Sequence, residues 1–244
     1  LDYLLRDQFH SGADVGTYDV QRIFRSLRLD DNGSLRLHPN GVPAVESYLL
    51  TRLHMYELVY FHKLNILTSE YHRKVLRRAR ELASMGKLEI GDAVKGMLLS
   101  TDLDASGYLS LDDSVVSSAI SSWRDNSDQE LRFWVDRILS RDSFHKRIRI
   151  PGLTPEHVER CMIAISAEIS SAGYDPVRDL ILARVDNVGY RPYEGGIQLV
   201  DGRDIADVSS VAAAITETVH DTMVFVPASV RKACEEVVKS TLNV

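Results

Sequence analysis

A long stretch without helix breakers constrains the fold of this chain more than any other feature. From Ala44 to Met85 no proline or glycine interrupts the sequence, and apolar residues recur at helical spacing. The residues with this spacing are Val45, Leu49, Leu53, Met55, Val59, Ile66 and Leu76. We therefore predict one very long helix, or two stacked helices, ending at Gly86.

The remaining sequence predicts helices first and strands later. An Asn-Gly pair at 32–33 is typical of a hairpin turn. Further helical patterns cover residues 19–27, 89–100, 111–123, 127–139, 155–171, 207–216 and 227–242. Apart from this hairpin, strand-like segments occur near the end, at 180–185, 197–200 and 223–226. The sequence thus predicts a mainly α fold, with a helical domain over 1–147 and a smaller α+β region over 148–244.

Composition excludes several classes of protein. The chain has 244 residues and a formal net charge of −6, which argues against wholesale coating of nucleic acid. No run of 18 apolar residues exists, so no membrane span is predicted. Cys161 and Cys234 lie far apart in helix-like surroundings, which indicates a reducing compartment, the cytoplasm, rather than a Cys-rich zinc site.

The first residues form a small polar group on one predicted helix. Tyr3 and Asp7 are four residues apart and share a helix face, with Arg6 beside them. A phenol, a carboxylate and a guanidinium can hold a sugar phosphate. An exposed helix with a local Asp–Arg pair explains the same spacing, and spacing alone favours that interpretation. The chain begins inside this amphipathic pattern, so we expect a further segment before Leu1.

The long helical stretch carries a second polar face. At about 100° per residue, Arg52, Tyr56 and Lys63 fall within roughly 40° of one another, and Tyr60 lies roughly 80° from Arg52. Guanidinium and phenol groups of this kind line nucleotide pockets. A half-exposed face with snorkelling cations is the alternative, and spacing alone favours it.

One segment follows the pattern of an EF-hand calcium loop. Between residues 102 and 113, oxygen-bearing side chains fall at the ligand positions and a glycine at position 6. The candidate ligands are Asp102, Asp104, Ser106 and Asp113. The last position holds Asp rather than Glu and no second loop is present. A polar turn leading into a helix capped near Asp112 is therefore the favoured interpretation.

An ordered set of short segments resembles the HD-domain phosphohydrolases, most closely their deoxynucleoside triphosphate (dNTP) triphosphohydrolase branch. The resemblance covers about 1–147 well and the remainder loosely. It rests on Leu-Asp-Tyr-Leu-Leu-Arg-Asp at 1–7, Tyr-Asp-Val-Gln-Arg-Ile at 18–23, Gly-Val-Pro-Ala-Val-Glu at 41–46, Arg-Leu-His-Met-Tyr at 52–56 and Val-Tyr-Phe-His-Lys at 59–63, followed by segments at 108–113 and 141–144.

The resemblance implies a metal-dependent enzyme that converts a dNTP to a deoxynucleoside and inorganic triphosphate. In that family a His, His-Asp and Asp set binds a divalent metal ion, and a metal-activated water attacks the α-phosphate. These ligands would lie upstream of Leu1, so this chain would hold no metal and would be inactive alone. It would supply the substrate-binding and oligomerisation surfaces of a dimer or tetramer.

Residue roles follow from the same resemblance. Tyr3 and Asp7 would contact the sugar and phosphates, Arg52 would pair with a phosphate, and Tyr60 would exclude a 2′-hydroxyl. A nucleotide effector site between subunits would use basic residues, namely Arg22, Lys63 and Arg141. His145 stands where that family usually has Lys, which weakens the effector assignment. The alternatives are a non-catalytic regulatory or oligomerisation protein of the HD family and a calcium-binding helical module.

Overall fold

The structure, a computed structural model, describes residues 1–99, 104–140, 144–150, 155–193 and 195–242. It is mainly α, with two small antiparallel sheets, which confirms the predicted fold class. The helices are α1 (Asp2–Ser11), α2 (Val20–Ser26), α3 (Val42–Met55), α4 (Lys63–Ser84), α5 (Asp92–Leu99), α6 (Ala105–Leu109), α7 (Asp113–Ser122), α8 (Gln129–Leu139), α9 (Pro155–Ser171), α10 (Pro176–Asp179), α11 (Ser210–Ala214) and α12 (Arg231–Leu242). The strands are β1 (Leu27–Leu29), β2 (Leu35–Leu37), β3 (His145–Ile148), β4 (Ile181–Val188) and β5 (Thr218–Pro227).

The chain divides into two compact units, and the division differs from the predicted boundary near residue 147. Unit 1 comprises Leu1–Asn65 and Arg184–Thr222, and unit 2 comprises Ile66–Ala183 and Met223–Val244. The reason is that the 184–222 segment returns to the N-terminal helices. Leu37 forms a parallel bridge with Leu199, and the Ser209 hydroxyl donates a hydrogen bond of 2.5 Å to Glu46. Sequence order therefore does not follow the packing.

Unit 1 packs α1, α2 and α3 with the β1–β2 hairpin and the 184–222 segment around one apolar core. The buried side chains of that core are Leu4, Val15, Tyr18, Ile23, Leu37, Ala44, Val45, Leu49, Met55, Tyr190, Leu199, Ile205 and Ala212. The hairpin pairs Leu27 with Leu37, as the Asn-Gly turn predicts. Asp30 closes that turn by accepting hydrogen bonds of 2.9 Å from the amides of Asn32 and Ser34.

In unit 2, helices α9 and α12 pack together over strands β3 and β5, which pair antiparallel. Both cysteines lie in this apolar core as buried free thiols, and burial raises the pKa of each. In the other part of the unit, α4 buries one stripe of side chains, and α8 buries Leu131, Trp134 and Val135. The side chain of Asp128 caps α8 and also pairs with Arg78 at 2.7 Å.

Of the two alternatives for the long stretch, the structure has two helices, α3 and α4, because a π-helical turn over Tyr56–Tyr60 ends the first of them. Two other local predictions need correction. The predicted strand at 197–200 contributes only single bridges, because Leu199 pairs with Leu37, the last residue of β2, and Gln198 pairs with Asp204 outside any strand. The predicted helix at 207–216 is a 3-10 turn at Ile205–Asp207 followed by the short α11.

None of the helices in the described residues is long and apolar enough to cross a membrane.

Candidate functional site

A π-helical turn positions the aromatic residues of the candidate site. Helix α3 ends at Met55, the turn covers Tyr56–Tyr60, and the amide of Phe61 donates to the carbonyl of Tyr56 at 2.8 Å. Such turns are rare in proteins, and those that occur are often found at functional sites. Because the turn changes the residue period, the 100° reckoning fails beyond Met55. Lys63 does not continue the face of Arg52 but is an exposed residue in the first turn of α4.

The turn connects to α1 through a hydrogen bond between side chains. The hydroxyl of Tyr60 donates to the carboxylate of Asp7, and both side chains are half-buried. Burial raises the pKa of Tyr60, and the Asp7 carboxylate and the neighbouring phenol of Tyr3 raise it further. The Tyr60 phenol therefore stays protonated and holds one oxygen of Asp7 in place.

Two ring contacts extend this bond to Arg52. The rings of Tyr56 and Tyr60 meet edge to face with centroids 4.9 Å apart, and the Arg52 guanidinium lies 4.9 Å from the centroid of the Tyr56 ring. These contacts form one continuous series that links Asp7, Tyr60, Tyr56 and Arg52, which we call the Asp7–Arg52 contact series. The structure brings together the acid, phenol and guanidinium that spacing alone left unresolved.

Tyr3 lies beside the Asp7–Arg52 contact series. Burial raises the pKa of Tyr48, the nearby Tyr3 phenol raises it further, and the Arg52 guanidinium opposes the rise. Tyr3 is therefore a neighbour of Tyr48 as well as of Tyr60, and its side chain is 39% exposed. An exposed phenol at this place is accessible to a ligand.

Arg52 also lines a cleft within unit 1. The cleft has a volume of about 350 Å³ and is lined by Tyr48, Leu49, Arg52, Gly189, Tyr190, Arg191, Gly195 and Ile197. One terminal nitrogen of Arg52 donates a hydrogen bond of 2.8 Å to the carbonyl of Gly189, which fixes the guanidinium at the cleft wall. Asp7 and Tyr60 are not among the residues that line the cleft. Arg52 is therefore the residue through which the Asp7–Arg52 contact series reaches the cleft.

The loop at 189–197 is the part of the site that the sequence interpretation missed. It follows β4 and faces α3 across the cleft, and in sequence it lies far from the helix that it serves. Its composition holds a signal, because three glycines surround two tyrosines and an arginine within a few residues. Gly-rich segments with such side chains often approach a ligand closely.

The structure describes two of the three effector candidates, Arg22 and Lys63. Arg22 lines a separate cleft of about 390 Å³, bordered by Thr17, Tyr18, Asp19, Pro43, Ala44 and Ser47. The Arg22 guanidinium donates 3.2 Å to the carbonyl of Asn40. Lys63 is exposed at the start of α4, and Arg141 lies outside the described residues. His145 is buried in unit 2, where its ring packs against Trp134.

The calcium-loop candidates have a helical setting. Asp104 caps the short α6 by accepting 2.7 Å from the amide of Gly107, and Ser106 lies inside that helix. Asp112 caps α7 at 2.8 Å from the amide of Val115, as the favoured interpretation predicts, and Asp113 begins that helix. Asp102 lies outside the described residues. Among those that are described, no three His, Cys, Asp or Glu side chains are grouped to hold a metal ion.

Solved structures share this fold. A phosphohydrolase from Bacteroides thetaiotaomicron superposes with a TM-score of 0.68 at 23% identity, covering 92% of this chain and 60% of that one. A hypothetical protein from Aquifex aeolicus gives a TM-score of 0.66 at 21% identity, covering 98% of this chain and 56% of its own. At these identities the similarity is one of fold.

Sequence relatives agree. YwfO of Bacillus subtilis is 26% identical over 197 residues, 80% of this chain and 44% of YwfO. MJ1154 of Methanocaldococcus jannaschii is 35% identical over 85 residues, 33% of this chain and 19% of MJ1154. The chain thus spans less than half the length of these curated relatives. A model of the HD-associated region family matches residues 18–168. Since that match covers more than half of the sequence, the chain belongs to the HD-associated region family of HD-domain proteins.

Proposed function

We propose that this chain is the substrate-binding part of a metal-dependent dNTP triphosphohydrolase, which converts a dNTP to a deoxynucleoside and inorganic triphosphate. One observation carries the proposal. Tyr3, Asp7, Arg52 and Tyr60, the residues that the family resemblance assigns to the substrate, are neighbours in unit 1. Tyr60 donates to Asp7, Tyr56 contacts both Tyr60 and Arg52, and Tyr3 lies beside Tyr60 and Tyr48. The similarity of fold to a phosphohydrolase supports the same reaction class.

Arg52 is the phosphate-binding residue in this proposal. Its guanidinium sits over the Tyr56 ring and spends one hydrogen bond on the carbonyl of Gly189. A guanidinium has five N–H donors in a planar fork, so donors remain to bind phosphate oxygens in the cleft. The volume of about 350 Å³ falls within the range of small-molecule sites.

Tyr60 is the sugar-sensing residue. Its hydroxyl is held by Asp7 and its ring by Tyr56, so the phenol cannot turn freely to make room. A fixed ring against the 2′ carbon of the sugar admits hydrogen there and clashes with a hydroxyl. Tyr3, exposed beside it, would contact the same sugar.

The metal ion belongs to the proposal but not to the residues that the structure describes. Those residues contain no group suited to a metal, so they do not fit the ion and we derive no step through it. The family resemblance assigns the ligands to residues upstream of Leu1. We accordingly propose that the chain alone is inactive and that the activity belongs to the protein that also carries an HD domain.

Two further features complete the proposal. The cleft beside Arg22 supports an effector role for that residue, whereas for Lys63 and Arg141 the role rests on the family resemblance alone. Self-association into a dimer or tetramer also rests on that resemblance, whereas the proposed cytoplasmic location rests on the two free cysteines.

The decisive test measures products from a dNTP incubated with the full-length protein and a divalent metal, separating triphosphate from pyrophosphate and phosphate. Wild type should release triphosphate. Arg52→Ala should lose most of that release, about 100-fold, because a charge-assisted phosphate contact is lost. Arg25→Ala, which removes an exposed arginine from α2, is the matched control and should behave as wild type.

The same assay separates the alternatives. If Arg52→Ala released triphosphate at the wild-type rate, Arg52 would not be a substrate-binding residue. Binding of dNTP without any turnover by wild type would favour the non-catalytic regulatory protein. Heat released on titration with calcium, and lost in Asp104→Ala, would favour the calcium-binding module.

A second test addresses the sugar. Tyr60→Ala should narrow the preference for dNTP over NTP by about 10-fold or more, because the ring no longer excludes the 2′-hydroxyl. Tyr60→Phe keeps the ring and loses only the bond to Asp7, so it should retain most of the preference. An unchanged ratio in Tyr60→Ala would contradict the assignment.

A further inference from the structure

We propose that Arg191, presented by the loop at 189–197, is a second anion-binding group of the cleft, so that the phosphate chain is bound by two guanidinium groups. This inference rests on the proposed function for the identity of its ligand, an oligophosphate ester. Arg52 and Arg191 line the same cleft from different parts of the sequence, one on α3 and one on the loop after β4.

A buried carboxylate holds the loop in one conformation. Asp204 is completely buried and accepts from the Tyr190 hydroxyl at 2.8 Å, from the Tyr193 amide at 3.0 Å and from the Ala206 amide at 2.9 Å. The Tyr190 hydroxyl in turn accepts 2.6 Å from the amide of Ile197. Both ends of the loop are therefore tied to one acid, and Arg191 follows directly after one of the tied residues.

The backbone of the loop is also adapted to close approach. A Cβ on Gly196 would lie 2.5 Å from an Asp204 oxygen and 2.7 Å from the Tyr193 amide. A Cβ on Gly189 would lie 2.8 Å from the carbonyl of Ile215. Tyr193 adopts a φ of 62°, which is costly for a residue other than glycine and persists only when its surroundings impose it. Such backbones are concentrated at ligand-binding sites.

The charge of Arg191 is available to a ligand. The side chain is exposed, and within the ranges that the structure describes no carboxylate lies at ion-pair distance from it. Arg203, in the same unit, is instead paired with an acid, since two of its nitrogens bind Asp201 at 2.7 and 2.9 Å. Among the described residues, the two acids bonded to the loop, Asp204 and Asp207, are occupied by bonds that hold it, since Asp207 accepts from the Tyr193 hydroxyl at 2.6 Å. The cleft therefore combines two guanidinium groups with phenols and small residues.

Two arginines at one cleft select for an extended anion. One guanidinium group binds two oxygens of a phosphate or carboxylate. A second guanidinium group adds binding energy only if the ligand has a further charged group. A triphosphate chain satisfies both, whereas an uncharged nucleoside satisfies neither. The ligand class is therefore an oligophosphate, bound at the Arg52 and Arg191 side of the site.

The test is calorimetric titration of the full-length protein with inorganic triphosphate, in the presence of EDTA and at low salt. Wild type should bind. Arg191→Gln should weaken binding about 10-fold or more, as expected for a lost hydrogen-bonded charge, and Arg191→Lys should fall between the two. Arg203→Gln, which removes an arginine that is also exposed but is ion-paired, should bind as wild type. Deoxyadenosine is the uncharged comparison ligand, and its affinity should not change in Arg191→Gln.

Each other outcome decides the question differently. If Arg191→Gln binds triphosphate as wild type while Arg52→Gln does not, the inference is wrong and the proposed function stands. Equal losses in Arg191→Gln and Arg203→Gln would reduce the effect to general charge and overturn the inference. Arg191-dependent binding in a protein that hydrolyses no dNTP would keep the anion site and remove the proposed function. Absence of any triphosphate binding by wild type overturns the anion site, and the product assay then judges the reaction separately.

Discussion

Arg52 in unit 1 and Arg178 in unit 2 make similar contacts with an aromatic ring but differ in their hydrogen-bond partners. Each guanidinium lies against an aromatic ring, 4.9 Å from Tyr56 for Arg52 and 4.5 Å from Phe133 for Arg178. Arg52 adds one hydrogen bond to a backbone carbonyl. Arg178 instead binds both oxygens of Asp179, at 2.8 and 2.7 Å, and that carboxylate is completely buried.

The surroundings extend this difference. In unit 2, Lys74 lies over Trp134 and Arg137 over Phe133 and Phe144, in a closed aromatic cluster that also buries His145. In unit 1 the aromatic residues around Arg52 border an open cleft. A cation over an aromatic ring is therefore not a functional signal in itself. What matters is whether an acid already occupies its donors.

The largest expected effect on stability is at Arg178, the arginine that is already paired with an acid. Arg178→Ala leaves the Asp179 carboxylate buried without its cation and should lower the free energy of unfolding by about 2–3 kcal/mol, toward the low end for a broken buried pair because the arginine is 39% exposed. Urea denaturation measures it. Arg178→Lys keeps a charge but not the paired geometry, so it should lose less. A change below 0.5 kcal/mol would contradict the contrast with Arg52.

The second effect concerns pH. Burial lowers the pKa of His145 to about 4, from an ordinary value of 6.5. Its ring is bound by the Tyr71 hydroxyl at 2.8 Å and the Asp179 carbonyl at 3.1 Å. As pH falls below 6.5, His145 takes up a proton in the unfolded chain but not in the folded one. Stability contributed by this residue is therefore present above pH 6.5 and is lost as pH falls toward 4, by about 1.5 kcal/mol between pH 6.5 and 5.

The measurement is urea denaturation at several pH values in that window. His145→Gln should remove most of the pH dependence. The exposed His54 provides the matched control, because His54→Gln should retain it. A wild-type stability that does not change between pH 6.5 and 5 would show that His145 is not held neutral in the way its burial indicates.

The third prediction is that the available arginine matters little for stability. Arg52→Ala removes one hydrogen bond and one ring contact, so the free energy of unfolding should fall by about 1 kcal/mol or less. Thermal unfolding at fixed pH measures it, alongside the product assay. A loss as large as that of Arg178→Ala would mean that Arg52 is structural, and the proposed phosphate role would lose its basis.

The smallest effect is expected at Arg6, which pairs with Asp2 at 2.5 Å while both side chains stay largely exposed, at 67% and 78%. Arg6→Ala should change the free energy of unfolding by less than about 0.5 kcal/mol and leave dNTP turnover unchanged. A large loss of turnover would place Arg6 in the site together with its neighbours on α1.

Local signals in the sequence were sufficient for much of the secondary structure. Gly33 and Asn32 predict the hairpin, Pro155 and the apolar spacing behind it predict α9, and Asp112 predicts the cap of α7. They failed at the π turn over Tyr56–Tyr60, because its residues have no composition that distinguishes them from a helix. They gave no sign that the 184–222 segment packs with α3 in unit 1, because that packing is a long-range choice that no local pattern encodes.

The sequence by itself determined the mainly α fold class, the family resemblance and the identity of four candidate substrate residues. Periodicity, turn chemistry and ordered short segments are local properties, and they can be read residue by residue. Only the tertiary structure decided that Tyr60 bonds Asp7, that Arg52 faces a cleft, and that Arg191 shares it. Those relations join residues far apart in the chain, and they depend on how apolar faces pack rather than on any neighbour in sequence.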